Sequence, residues 1–241
     1  TGFVDLGTKI VYYEANGVMA RGKEVQVGSN YYYFDEITGE MQTNTFANHK
    51  YYGTDGTRVP IEKYGSIFYE IMGASSVSIE QMVKFYEQSG KTYPSEAMKK
   101  GGASSIKAFA EIVYEEAAAE GVKAEVVWAQ TMKETAYLQF GGQVKIEQFN
   151  FAGLGATDNG ASGASFPDVR TGIRAQVQHL KAYASKEPLN NSCVDPRFNY
   201  VTRGSAMYVE ILGIQENPAG VGWATSKNYG TSIMTLVNKI K

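Results

Sequence analysis

The sequence predicts an α+β protein, a small β-hairpin repeat module followed by a mostly helical domain. Three observations carry this reading. Paired tyrosines recur at Tyr12-Tyr13, Tyr32-Tyr33 and Tyr51-Tyr52, a turn glycine follows each pair, and helical apolar periodicity begins at Val77.

In the first region each tyrosine pair leads into an acidic residue or asparagine and then a glycine: Asn16-Gly17 after Glu14, Gly39 after Asp35, and Asp55-Gly56. Asn-Gly and Asp-Gly accept the positive φ of tight turns, so each reads as a strand entering a hairpin turn. Met19 and Met41 close the first two units at matching positions. Hairpins this short cannot each bury an apolar face, so the expectation is three stacked hairpins over residues 1–63. Residues 64–77, with break points at Gly65, Gly73 and Ser75-Ser76, read as a connector, and residues 78–241 as the helical domain.

Ser78 is a plausible N-cap for a helix over Ile79 to Gln88, with Ile79, Met82, Val83 and Tyr86 on one face. A second helix runs from about Ser105 to Glu120 and stops at Gly121. A third runs from about Lys123 to Glu134. Glycine-rich loops follow, then a helix from about Arg170 to Ser185 and a terminal one over Thr231 to Ile240.

The composition excludes several classes of function. With 241 residues, 43% of them hydrophobic, there is apolar mass for a sizeable core and a small second module. Lys and Arg total 23 against 25 Asp and Glu, which gives no electrostatic footprint for nucleic acid or an anionic membrane. No apolar run reaches the roughly 18 residues of a membrane span. The Thr1-Gly2-Phe3 start has no signal-peptide pattern and reads as the start of a processed or excised piece. The lone Cys193 excludes an internal disulfide framework and reads as an inert thiol. No His, Asp and Cys spacing suggests a zinc or calcium site, so no metal and no cofactor are expected.

Chemistry concentrates at the end of the third helix. Glu134 lies seven residues after Val127 and three after Thr131, which puts it on their core-facing side. A carboxyl held there is partly desolvated, its pKa rises, and a fraction stays protonated near neutral pH, as a general acid requires. Periodicity alone leaves this open against a solvated helix-end charge.

Two resemblances narrow the choice. Gly17-Val18-Met19, Tyr31-Tyr32-Tyr33-Phe34-Asp35 and Gly39-Glu40-Met41 resemble the cell-wall-binding repeats of Gram-positive surface proteins, related to choline- and glucan-binding repeats. That resemblance implies a wall polymer or choline as ligand. Family repeats carry a Gly-Trp near their start, whereas residues 1–59 contain no Trp, the strongest face for a quaternary ammonium. The helix ending in Glu134, followed by Asn150-Phe151-Ala152-Gly153-Leu154, resembles the glucosaminidase domains of glycoside hydrolase family 73, enzymes of lysozyme-like fold. Phe166 to Tyr183, Asp195-Pro196-Arg197-Phe198, Trp223-Ala224 and Asn228-Tyr229-Gly230 fit it in order.

The second resemblance implies a secreted, wall-associated autolysin, an endo-β-N-acetylglucosaminidase that cuts β-1,4 bonds after N-acetylglucosamine in peptidoglycan strands. It places the general acid on Glu134. A second carboxylate falls on Asp158 or Asp168, each with a bland alternative, an Asx turn for Asp158 and a helix N-cap for Asp168. If the substrate's acetamido group attacks instead, Tyr229 would orient it. Asn150 and Phe151 would shape the sugar subsite, with Gln130 and Tyr137 as lesser candidates. His179 reads as a packing histidine. A muramidase or lytic transglycosylase on the same fold, or a non-catalytic glycan-binding surface protein, stays open.

Overall fold

The computed structural model describes residues 1–156, 160 and 162–241, which divide into two compact units: Thr1–Phe68 with Gly213–Lys227, and Tyr69–Leu212 with Asn228–Lys241. Helices dominate the second and short antiparallel hairpins the first, an α+β protein as the sequence predicts.

In the first unit β1 (Gly2–Asp5) pairs with β2 (Ile10–Tyr13), β3 (Lys23–Val27) with β4 (Asn30–Phe34), and β5 (Thr45–Ala47) with β6 (Lys50–Tyr52). Each tyrosine pair lies on the second strand of its hairpin. The hairpin loops therefore precede the tyrosines, at Gly7, at Gly28 and at Asn48-His49, where both residues have positive φ. The Asn16-Gly17, Gly39 and Asp55-Gly56 turns follow each hairpin and do not close it. They reverse the chain so that Met19, Met41 and Arg58 bridge back to Tyr13, Phe34 and Tyr52. This corrects the turn assignment, because turn chemistry marks where a chain reverses but not which strand it pairs with.

Stacking does what no single hairpin can. The amide of Met41 donates to Ile10 O and that of Arg58 to Tyr31 O, each at 2.8 Å, tying each unit to the one before it. Phe3 meets Tyr12 and Tyr32 edge-on, at 5.3 and 4.8 Å between ring centroids. A Cβ on Gly39 would strike Met19, and one on Gly56 would strike Met41. The two methionines thus fill the space the turn glycines vacate.

In the second unit α1 (Ile79–Gln88) starts at Ser78, which forms a reciprocal capping box with Gln81. α2 (Ser95–Lys100) is too short to leave a periodic signal in the sequence. α3 (Ile106–Glu120) ends on Gly121 in the left-handed conformation, and α4 (Ala124–Glu134), α5 (Val169–Ala184) and α6 (Tyr229–Ile240) follow. Every residue of α4 from Ala124 through Met132 is buried, so this helix is the axis of the unit, packed by α3 and α6. Before α1, Ile71 and Val77 are buried, and the amide of Lys123 bonds Ile71 O at 2.9 Å.

Candidate active site

The buried axis of α4 surfaces at its last two residues, Lys133 and Glu134. The chain then turns sharply. Thr135 caps the helix by donating to Thr131 O (2.7 Å) and accepting from the Leu138 amide (2.9 Å). Ala136, Tyr137 and Leu138 all take positive φ, 49°, 57° and 61°, which costs each of these non-glycine residues about 1–2 kcal/mol.

Below Glu134 runs a continuous polar chain through an otherwise apolar core. The Tyr229 hydroxyl, at the first residue of α6, donates to Glu134 Oε1 at 2.6 Å and accepts from Gln130 Nε2 at 3.0 Å. Gln176 of α5 donates to Gln130 Oε1 at 2.9 Å and to the Val127 carbonyl at 3.2 Å. Its own Oε1 accepts from the Thr131 hydroxyl at 3.0 Å. Gln130, Thr131 and Gln176 are fully buried, so each needs the partners it has.

Glu134 is open to solvent, yet neighbouring protein partly desolvates its carboxyl. That desolvation raises its pKa above 4.5, opposed by the Tyr229 hydrogen bond and the Lys133 ammonium. Burial and then the neighbouring carboxylate hold the Tyr229 phenol well above its ordinary range, so it stays protonated and serves as a donor. Lys133 Nζ sits 5.5 Å from the centre of the Tyr229 ring.

Glu134, Tyr229 and Gln130 are thus brought together. Asn150, 1% exposed, spends its side chain on its own loop, donating to Leu154 O and Ala164 O and accepting from the Leu154 amide. Phe151, equally buried, packs 5.0 Å from Phe109 and 6.2 Å from Phe140. Neither offers a face to a sugar in this structure, because the motif's amide and ring hold the loop against the core. Phe149 O, in the same motif, sits where a Cβ on Gly172 of α5 would overlap it. Tyr137 is half-buried, 5.9 Å from the Phe85 ring.

Asp168 caps α5, accepting from the Thr171 amide at 2.7 Å. It borders a cavity of about 530 Å³ shared with Glu111, Glu115 and Arg170. Asp158 lies outside the described residues. His179 bonds Asp195 at 2.7 Å and meets Tyr183 edge-on at 5.4 Å. Among the described residues no group of three or more His, Cys, Asp or Glu could hold a metal ion, and no helix is long and apolar enough to cross a membrane. Gln176 gives no sequence signal of its own, since Ile173 to Leu180 also holds Arg174, Gln178 and His179.

Residues 110–241, which include Glu134, Gln176 and Tyr229, are matched by the family model for mannosyl-glycoprotein endo-β-N-acetylglucosaminidase. The chain belongs to the glucosaminidase family. It is a glycoside hydrolase, its substrate is a glycan, and its N-terminus carries a choline-binding repeat, matched over residues 1–46.

This glucosaminidase is 38% identical over 171 residues to an uncharacterized protein of Borreliella burgdorferi, covering 68% of this chain and 80% of that one. It is also 38% identical over 64 residues to glucosyltransferase-I of Streptococcus downei, covering 24% of this chain and 4% of that enzyme. Among solved structures, the choline-binding domain of Spr1274 from Streptococcus pneumoniae is 30% identical, with a TM-score of 0.23, over 25% of this chain and 71% of that one. Choline-binding protein F of the same organism is 31% identical, also with a TM-score of 0.23, over 24% of this chain and 20% of that one.

Proposed function

We propose that this glucosaminidase is a secreted, wall-associated autolysin that hydrolyses the β-1,4 bonds after N-acetylglucosamine in peptidoglycan strands, with Glu134 as the general acid. The observation that carries the reading is the 2.6 Å hydrogen bond from the buried Tyr229 hydroxyl to a solvent-accessible Glu134 whose pKa is raised. A carboxyl in that setting is protonated at higher pH than an ordinary glutamate, and one of its oxygens is fixed while the other is left to meet substrate.

In the reaction, Glu134 gives its proton to the glycosidic oxygen as the bond to the anomeric carbon breaks. The carbonyl oxygen of the 2-acetamido group closes on that carbon to give an oxazolinium. Water then opens the ring and returns its proton to Glu134, leaving a new reducing end. Among the described residues, which leave out Asp158, substrate assistance is supported by the neighbours of Glu134. Its hydrogen-bond partner is a tyrosine, and Asp168 is committed to the amide of Thr171. Tyr229 acts on Glu134, toward which its hydroxyl is directed.

Residues 1–63 serve as the wall-binding module, 64–77 as the connector and 78–241 as the hydrolase. The repeat match supports a wall polymer or choline as the ligand of the hairpins. The exposed ring of Phe3, set against Tyr12 and Tyr32, is the aromatic surface on which such a ligand would sit.

Digestion of purified peptidoglycan followed by mass spectrometry tests the specificity. Reducing-end N-acetylglucosamine supports it, whereas reducing or anhydro N-acetylmuramic acid assigns the chain to a muramidase or a transglycosylase. Clearing that persists in Glu134→Gln would remove the acid from its role. The anomeric configuration of the first-formed product, read by proton NMR, should be retained, and inversion would rule out acetamido attack.

A further inference from the structure

We infer that Gln176 is a positioning residue for the cleavage: acting through Gln130 and Tyr229, it fixes the phenol proton on Glu134 Oε1 and so leaves the transferable proton on Oε2. The inference rests on Glu134 being the acid.

The argument begins at a backbone atom. The Val127 carbonyl can only accept, so the Gln176 group 3.2 Å from it must be its NH₂. That leaves Gln176 Oε1 to face the Thr131 hydroxyl, which donates to it at 3.0 Å. The second N–H of Gln176 requires an acceptor 2.9 Å away, so Gln130 turns its Oε1 toward Gln176 and its NH₂ toward Tyr229. With one lone pair of the Tyr229 oxygen taken by Gln130, its only proton points along the 2.6 Å contact to Glu134 Oε1. Each orientation follows from the one before, and none of the three fully buried side chains has a water-facing alternative.

The consequence falls on Glu134. In a carboxylic acid the carbonyl oxygen accepts hydrogen bonds better than the hydroxyl oxygen, so the oxygen that accepts from Tyr229 stays the carbonyl one and protonated Glu134 carries its hydrogen on Oε2. Gln176 touches neither Glu134 nor any atom a substrate could reach, so it works only through the chain. Among the described residues, Tyr229 from α6 and Lys133 from its own helix face Glu134, and Tyr183 of α5 faces Tyr229 in turn.

The test is a ¹³C NMR titration of the Glu134 carboxyl in the full chain, in the wild type, Gln176→Met, Tyr229→Phe and the double variant. Methionine keeps the length and volume of glutamine but removes the anchor, so Gln130 is free to turn and draw the phenol proton away. Because that hydrogen bond favours the ionised carboxylate, its weakening moves the Glu134 midpoint to higher pH. The alkaline limb of kcat/KM should move the same way, with kcat about tenfold lower and KM unchanged. The double variant should titrate as Tyr229→Phe alone. An unmoved midpoint in Gln176→Met, or a shift that persists in the Tyr229→Phe background, overturns the proposal. Should Gln176→Met fail to fold, Gln176→Leu must give the same shift, since it too removes the amide and adds no charge. An active Glu134→Gln would sink the acid role, while the titration would still judge the hydrogen-bond chain.

Discussion

Gly230 of α6 stands with its Cα against the carbonyl oxygen of Val209, so close that a methyl group there would overlap it and crowd the Glu210 backbone. The glycine lets the first turn of α6 seat on the 209–211 turn, and the residue before it is Tyr229. Packing at Gly230 therefore sets where the Tyr229 hydroxyl lies relative to Glu134. Gly230→Ala should lift that end of the helix, at a cost of about 1–3 kcal/mol for the overpacking. It should also lower kcat by about 100-fold, since the acid loses its oriented partner. Thermal unfolding and wall-digestion rates measured together check this. A stable variant with wild-type activity would contradict it.

In the proposed role of general acid, Glu134 sets function against stability. Its folded pKa is raised above the ordinary 4.5 because burial disfavours the charge. The stability it contributes is complete below the unfolded value and is lost as pH rises through the folded one. At pH 7 the ionised side chain is therefore a liability. Glu134→Gln should melt higher than the wild type at pH 7, and the two should converge below the ordinary value. Differential scanning calorimetry across that range reads both signs.

The opposite sign holds at Glu120, which is buried beside Lys181 at 2.9 Å. Burial pushes its carboxyl up, but the Asn190 amide, the Lys181 ammonium and the Asn191 amide outweigh that and hold it below 4.5. Its contribution is present above the unfolded pKa and fades as pH falls through the folded one. Lys181→Met should cost about 3–5 kcal/mol at neutral pH by stranding a buried charge. In urea titrations that penalty should shrink under acid conditions.

The turn after the acid carries strain that glycine would relieve. Ala136 is exposed with φ at 49°. Ala136→Gly should raise stability by about 0.5–1 kcal/mol, the left-handed penalty less the added freedom of the unfolded chain. An unchanged or lower urea midpoint would show that the turn carries no strain.

Features with local causes were legible before folding was considered. Ser78 with Gln81, Gly121 after Glu120, and the apolar face of Ile79 to Gln88 each depend on neighbours within a turn or two, and each helix expected from them is present. The tyrosine periodicity announced three hairpins, and the motif around Glu134 announced a glucosaminidase. Where a feature depends on which segments meet, local signals failed. Asn16-Gly17 marks a reversal without naming the strand it serves, and Asn150 and Phe151 look like a sugar subsite until burial turns them inward.

The sequence by itself determined the capped start of α1, the left-handed stop of α3 and the hairpin repeat, because each is written in short-range spacing and turn chemistry. Only the tertiary structure decided what surrounds Glu134. Tyr229 is 95 residues from Glu134 along the chain, and Gln176 is 46 from Gln130. They meet because α4 is buried on every side and polar groups in that core can be satisfied only by one another.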